Sequence, residues 1–282
     1  MISIIVPTHN KKNVLKKTLQ NILQQTYLNI EIIVVDDAST DNTKQAIEKI
    51  QSKKINYFYN KKQMGTSKSR ILGIKKSSGN YIAFLDDDDW WNPDKLRWQH
   101  QLIIEKKLDF IMSNYLVNDK INNKKHIVYL NGFVNNFISK IVVSPGPFLQ
   151  CCLFKKEFIL KHLSSFDSLA EPSEDWDWFI SISKEKIKFE NVNKLLFQWN
   201  LSKDSQSANT IKETQAIEYI INKHLHYFLQ KSNYKNISFQ YRRLGGMFYQ
   251  NNKPNKAKKY YNLAFKTNPW SIKNIFLKYL YG

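Results

Sequence analysis

The sequence predicts an α/β fold: a mostly parallel sheet flanked by helices, followed by an α-helical C-terminal extension. Three observations carry this. The stretches "ISIIVP" and "IEIIVVDD" are continuous β-branched runs, as strands covered on both faces require. Helix-patterned segments alternate with such runs over the first hundred residues. From about residue 208 onward almost everything reads as helix.

Element by element, the alternation is explicit. In "KKNVLKKTLQNILQQ", Val14, Leu15, Leu19, Ile22 and Leu23 fall at helical spacing. "TDNTKQAIEKIQ" opens on capping residues and continues as a helix, and the short strand "INYFYN" follows. "GTSKSRILGIKKSSG" is a glycine-opened helix and "NYIAFL" the next buried strand. The β-α-β-α-β-α-β series implies parallel strands joined by right-handed crossovers. Beyond residue 105 the rhythm breaks. "LDFIMSNYLV", "HIVYL" and "KLLFQWN" read as strands, "FLQCCLFKKEFI" as a strand entering a helix, and "SEDWDWFISISKE" as a helix start.

This places a main domain over residues 1–205 and a basic helical tail over residues 206–282. Within the tail, Tyr241, Leu244, Gly245, Phe248, Ala257, Tyr261, Ala264 and Pro269 match the offsets of a single tetratricopeptide-like helix pair at about 238–271. A lone repeat is weakly stable. Its first expected role is to pack on the main domain; presenting a docking face is the second.

With 42% hydrophobic and 14% aromatic residues, the 282-residue chain supplies a packed core and is not a disordered polymer. Its two cysteines, Cys151 and Cys152, are adjacent, so neither a disulfide framework nor a zinc spacing exists, and a reducing compartment fits. "ISIIVPTHN" lacks the features of a signal peptide, and no apolar run nears the roughly 20 residues of a membrane span. A soluble or membrane-surface protein is expected. The net charge of +19 is uneven: residues 201–282 hold 14 basic and 3 acidic residues. Such a tail suits anionic lipid head groups, a polyanionic substrate or nucleic acid, or is only a lysine-rich solvated surface.

In an open parallel sheet, ligands gather at the carboxyl ends of the strands. Three clusters sit at such ends: Pro7-Thr8-His9-Asn10, Asp36-Asp37, and the run Asp86 to Asp89. Hard carboxylate oxygens in a compact group suit Mg²⁺ or Mn²⁺, which bridge to substrate phosphates. The alternative is an acidic turn that caps the helix beginning near Pro93, a task for one aspartate rather than four. Arg70, on the helix opened by Gly65, is a candidate phosphate contact or, as an arginine on an early helical turn, a solvated side chain. Glu174 and Asp175 stand at a helix start, where the helix dipole favours a charged carboxylate. A carboxylate there, opposite a metal–diphosphate site, meets the requirement for general-base activation of a hydroxyl; capping of the helix without chemistry is the equal alternative. Trp176 and Trp178 either wall a pocket or fill the core. His224 and His226, at i and i+2, point to different helix faces and do not share an ion.

"ISIIVPTHN", "IEIIVVDDASTDNT", "GTSKSRILGI", "GNYIAFLDDDDWWNPDKL" and "SEDWDW" together resemble the family 2 glycosyltransferases of GT-A fold, in order and spacing, over residues 1 to about 205. The resemblance implies an inverting transferase that moves a sugar from a nucleotide-diphospho donor, a UDP-sugar favoured, to a hydroxyl of a glycan or lipid-linked acceptor. It implies that Thr8, His9 and Asp37 hold the base, with Pro7 and Asp36 beside them, and that Arg70 contacts the base or diphosphate. Asp86 would lie near ribose and metal with Asp87 next to it, Asp88 would be the direct ligand of Mn²⁺ or Mg²⁺, and Asp175, with Glu174 adjacent, would be the base. Two positions depart from the pattern. His9 stands where relatives often carry Tyr, and Gln198 and Asn200 where many carry Arg and His, which leaves a third metal ligand open. The basic tail fits a cytoplasmic protein attached at the inner face of a bacterial membrane during surface polysaccharide synthesis. Two further classes are a nucleotidyltransferase of this fold, for which "PTHNKKN" lacks a glycine-rich loop, and a basic scaffold. Nucleic acid is not an expected partner, because the basic tail is mostly lysine and the acidic rim repels phosphate unless metal is bound.

Overall fold

A computed structural model describes residues 1–143, 146–203, 205, 209–231 and 234–281. The expected boundary at 205/206 abuts residues 206–208, which lie outside the described residues. Nine strands among the described residues form one mixed sheet of order β3-β2-β1-β4-β8-β6-β9-β5, with β7 on β6.

The parallel half is the expected one. β1 (Ile2–Thr8) pairs with β2 (Ile30–Asp36) and β4 (Tyr81–Phe84), and β2 with β3 (Ile55–Tyr59). Every residue of β1 is buried, which explains its unbroken apolar run. The register puts Thr8 beside Asp36 and Ile5 beside Phe84, so all three strands deliver their carboxyl ends to one rim. Helices α1 (Lys12–Leu23), α2 (Thr43–Glu48), α3 (Thr66–Lys76) and α4 (Lys95–Glu105) connect and flank these strands. In α1 the buried face is Leu15, Thr18, Leu19, Asn21 and Ile22; Val14, expected inward, is exposed. The polar pair Thr18 and Asn21 took that face because each has a backbone partner in the aspartate loop, described below.

The second half is antiparallel in part. β5 (Trp90–Trp91) pairs with β9 (Phe189–Leu201), β6 (Phe110–Asp119) with β7 (Lys124–Val128) and β8 (Cys152–Lys155), while β6 and β9 run parallel. Cys151 closes a 3₁₀ turn and Cys152 opens β8; both are buried free thiols. After α5 (Asn131–Asn135), α6 (Phe137–Val143) and α7 (Lys156–Lys161), helix α8 (Glu174–Ile182) carries the second acidic motif. Trp176 and Trp178 are core residues, donating their indole N–H groups to Ile141 O and His162 O.

The tail comprises α9 (Thr210–Lys231), α10 (Tyr234–Gln250), α11 (Pro254–Thr267) and α12 (Ile272–Tyr281). Its apolar residues, from Ile217 to Ala264, continue the main core without a break. α9 is clamped to α8 by a buried contact of His224 Nε2 with Asp177 Oδ1 (2.7 Å) and by Lys223, 2.8 Å from both Asp177 and Asp167. His226, by contrast, is exposed. α10 and α11 cross closely at Gly245, where a Cβ would lie 2.6 Å from the Tyr261 ring.

Candidate active site

The rim opens into a cleft of about 1010 Å³ whose wall includes Pro7, Thr8, His9, Asp37, Asp86, Asp87, Asp88 and Glu174. Eight of the expected positions therefore face one space. Asp37, at the end of β2, shapes it: its carboxylate accepts from Asn60 Nδ2 (2.8 Å), Met64 N (2.9 Å) and Gly65 N (2.8 Å). Gly65 adopts φ +94°, open to glycine without strain, and hands the chain into α3. His9 Nδ1 contacts Asp37 O at 2.7 Å, tying the β1 and β2 ends together.

The four aspartates occupy the loop between β4 and β5, closed by Asp89 N donating to Asp86 O (3.2 Å). They do not cap α4, which begins after Asp94. Two elements preset the loop. From α1, Thr18 Oγ1 donates to Asp87 O (2.9 Å), and Asn21 exchanges two bonds with the Trp91 backbone (2.9 Å each). From β9, Asn200 N donates to Asp89 Oδ1 (2.8 Å), and Asn200 Nδ2 to Asp88 O (3.0 Å). Gln198 in turn donates to Asn200 Oδ1 (2.8 Å). Gln198 and Asn200 thus support the loop.

These carboxylates are not equivalent. The side chains of Asp86 and Asp88 are 33% and 22% exposed, whereas Asp87 and Asp89 are buried. Burial pushes Asp87 up to about 7 and Asp89 well above the ordinary aspartate range. Thr8 Oγ1 donates to Asp87 Oδ2 at 2.7 Å. Lys11 Nζ lies 2.8 Å from Asp88 and 3.3 Å from Asp87. Burial disfavours its charge, but the two carboxylates outweigh that and raise its pKa.

Beneath the floor lies a buried cluster of charges. Arg70 is 1% exposed. Its Nη1 donates to Glu174 Oε1 (2.6 Å) and Asp175 Oδ1 (3.0 Å), its Nη2 to Asp86 Oδ1 (2.9 Å). The placement departs from the expected contact with base or diphosphate, because the guanidinium is committed to three carboxylates. Asp175 Oδ2 accepts from Leu149 N (2.9 Å), and Asp86 Oδ2 from Gln150 Nε2. Glu174 Oε2 is buried with no hydrogen-bond partner among the described residues. Burial, opposed by Arg70, pushes Glu174 up to about 8 and also raises Asp175. Asp36 departs too: it turns away from the cleft, accepting from Ser39 N (2.8 Å) and Tyr57 OH (2.7 Å) beside a separate groove of about 370 Å³.

Several cleft residues carried no sequence signal. Lys11 is one lysine in a lysine-rich stretch, and Trp199, Lys203 and Lys212 reach the cleft only through the folding of β9 and α9. Glu171, which accepts from Ser67 N at 2.7 Å, precedes the Glu-Asp pair by three residues and by four, a proximity that was a usable clue.

The acidic loop fits a hard divalent cation in one respect: Lys11, a cation, already lies against Asp87 and Asp88. Among the described residues no group of three or more His, Cys, Asp or Glu side chains is placed to hold a metal ion. The donor set therefore suits an ion that takes one or two carboxylates and completes its shell with substrate phosphates and water.

The family model described as "Glycosyl transferase family 2" matches residues 3–162, more than half of the chain. The chain is a family 2 glycosyltransferase. This glycosyltransferase is 31% identical over 216 residues to the UDP-Glc:alpha-D-GlcNAc-diphosphoundecaprenol beta-1,3-glucosyltransferase WfaP of Escherichia coli, covering 76% of this chain and 82% of WfaP. Its fold is the GT-A fold. The transferase superposes on S. aureus TarS 1-349 in complex with UDP-GlcNAc with a TM-score of 0.62 at 17% identity, covering 98% of this chain and 78% of that one. It superposes equally on the mannosyltransferase PcManGT of Pyrobaculum calidifontis in complex with GDP-Man and Mn²⁺ (TM-score 0.62, 16% identity, 99% and 78% covered).

Proposed function

We propose that the enzyme is an inverting, metal-assisted glycosyltransferase that uses a nucleotide-diphospho sugar, a UDP-sugar favoured, and a lipid-linked glycan acceptor. The observation that carries this reading is the Arg70 hub, which gathers Asp86 of the donor loop with Glu174 and Asp175 of α8 under one cleft. The relatives' donors and acceptors support the substrate classes: WfaP acts on a diphosphoundecaprenol-linked sugar with UDP-Glc, and TarS binds UDP-GlcNAc.

In this reading Thr8, His9 and Asp37, with Pro7 beside them, receive the nucleoside. Asp86 and Asp88 would hold Mn²⁺ or Mg²⁺, and the ion would supply charge neutralisation of the departing diphosphate. Lys11 adds a fixed positive charge at the same wall. Asp175, oriented by Arg70 and Leu149 N, takes the proton from the acceptor hydroxyl. The oxygen's electron pair forms the new bond to the anomeric carbon as the bond to the diphosphate oxygen breaks, so configuration inverts. Arg70 acts through Asp175, Glu174 and Asp86 as a positioning residue. The work site is the cytoplasmic face of a membrane; among the described residues no helix is long and apolar enough to cross one.

A thermal-shift screen of UDP-, GDP-, CDP- and dTDP-sugars, with and without Mn²⁺, tests the donor reading on wild type and Asp88→Ala. A ligand selective for the folded state raises Tm by mass action. The expected result is a Mn²⁺-dependent rise with one nucleotide, lost in the variant. No rise with any nucleotide would sink it.

A further inference from the structure

α12 carries apolar side chains on both faces, with Leu277 and Tyr281 packed against the core. Its buried residue is polar: Asn274 donates to Ser238 Oγ (2.7 Å), Asn268 O (2.8 Å) and Ala264 O (3.0 Å), and accepts from Arg242 Nη1 (3.0 Å). Its solvent face is apolar. Ile272 (82% exposed), Phe276 (60%), Tyr279 (85%) and Leu280 (54%) fall at helical spacing on one stripe, with Trp270 (89%) just before the helix. Five large side chains left in water within eleven residues form an unpaired contact surface rather than scattered exposure.

The charge around the stripe says what covers it. From Tyr219 to Gly282 the sequence has 12 Lys and Arg and no Asp or Glu. Lys273 and Lys278 belong to α12 itself, the latter with its ammonium 4.1 Å from the Phe265 ring centroid. A second copy of this chain would bring two such cationic surfaces together. A nucleic acid would leave the apolar stripe wet. An anionic bilayer satisfies both features: apolar side chains enter the acyl boundary, Trp and Tyr sit at head-group depth, and lysines extend to the phosphates.

We infer that Trp270 and α12 form an interfacial anchor for an anionic membrane surface. A short series of contacts links the anchor to the cleft. Tyr281 packs on Tyr249 (ring centroids 4.6 Å apart), Asn251, two residues further on, accepts from Thr210 Oγ1 (2.8 Å), and Asn209 and Lys212 line the cleft. The inference rests on the proposed lipid-linked acceptor for its purpose: a chain docked by α12 meets an acceptor whose lipid stays in the bilayer.

The test is co-sedimentation of the full chain with phosphatidylglycerol-containing vesicles and with neutral phosphatidylcholine vesicles, at low and high salt. The variants are Ile272→Ser/Phe276→Ser/Tyr279→Ser and, separately, Lys273→Glu/Lys278→Glu. Wild type is expected to bind anionic vesicles in a salt-sensitive way. The apolar variant loses at least about ten-fold in partitioning, the value of one buried large side chain, and the charge variant weakens on anionic vesicles alone. The Tm and its shift with nucleotide stay as in wild type for both variants. Wild type that ignores anionic vesicles, or an apolar variant that binds like wild type, overturns the anchor. So does a concentration-dependent dimer abolished by the apolar substitutions, which assigns the stripe to a second copy. Vesicle binding as expected, with no nucleotide shift, leaves the anchor standing and removes the donor reading instead.

Discussion

Arg70 Nη1 lies 3.0 Å from the Asp175 carboxylate across 105 residues of sequence, and both groups are buried. The same nitrogen reaches Glu174, and the other reaches Asp86. One guanidinium thereby offsets three carboxylates that would otherwise repel one another away from water. Lysine offers a point charge in place of a planar fork and does not reach all three.

Removing this cation is therefore costly. Arg70→Met is expected to destabilise the fold by about 3–5 kcal/mol, because uncompensated buried carboxylates remain. Urea unfolding followed by tryptophan fluorescence checks it. Arg70→Lys should recover part of the stability and little of the transferase activity. A variant as stable as wild type would mean that the three carboxylates are not held as described.

Two aspartates of α8, two residues apart, should separate chemistry from architecture. Asp175→Asn is expected to lower kcat by roughly 10²–10⁴ while nucleotide binding persists, the loss typical of a missing general base. Asp177→Asn touches no cleft residue but weakens the His224 and Lys223 clamp on α9. It should cost about 2–4 kcal/mol of stability, with kcat retained at temperatures where the protein stays folded. Steady-state kinetics and thermal melts on both variants distinguish the roles.

The Glu174–Asp175 pair sets a pH dependence. Burial raises both, Glu174 to about 8, with Arg70 opposing. The base, Asp175, must be deprotonated to accept the hydroxyl proton, so kcat/KM should fall as pH drops, with an ascending limb displaced above the ordinary aspartate range. Glu174→Gln removes one negative charge, leaves Arg70 to favour ionised Asp175, and should move the ascending limb to lower pH. A limb that stays in place assigns it to another group.

Lys95 gives a stability profile of opposite cause. It is fully buried, bonded to Gln99 Oε1 (2.8 Å) and Cys152 O (3.2 Å) and 4.0 Å from the Trp91 ring centroid; burial lowers its pKa from 10.5 to about 7. Between those values the unfolded chain binds the proton and the folded chain does not. Folding stability from this group therefore rises with pH across 7 to 10.5, by up to about 1.4 kcal/mol per unit. Lys95→Met lacks this contribution, so the stability of wild type relative to the variant should climb over that range. Parallel unfolding profiles would show that Lys95 stays charged in the fold.

The sequence by itself determined the four parallel strands of the first hundred residues, the order of their β-α units and the three clusters at the strand ends, because these rest on local periodicity and on backbone sterics. "ISIIVP" is buried on both faces wherever it goes, and a parallel sheet sends Thr8, Asp37 and Asp86 to one rim. Only the tertiary structure decided what each charged group does there. The inward side of α1 went to Thr18 and Asn21 rather than Val14 because their partners lie about 70 residues away, in a loop that α1 cannot foresee. Arg70 is held by three carboxylates, Asp36 points away from the cleft toward Tyr57, and Lys11 joins the site for the same reason. The state of a buried charge follows from the neighbours that replace its water, and those neighbours come from chain segments that only packing brings together.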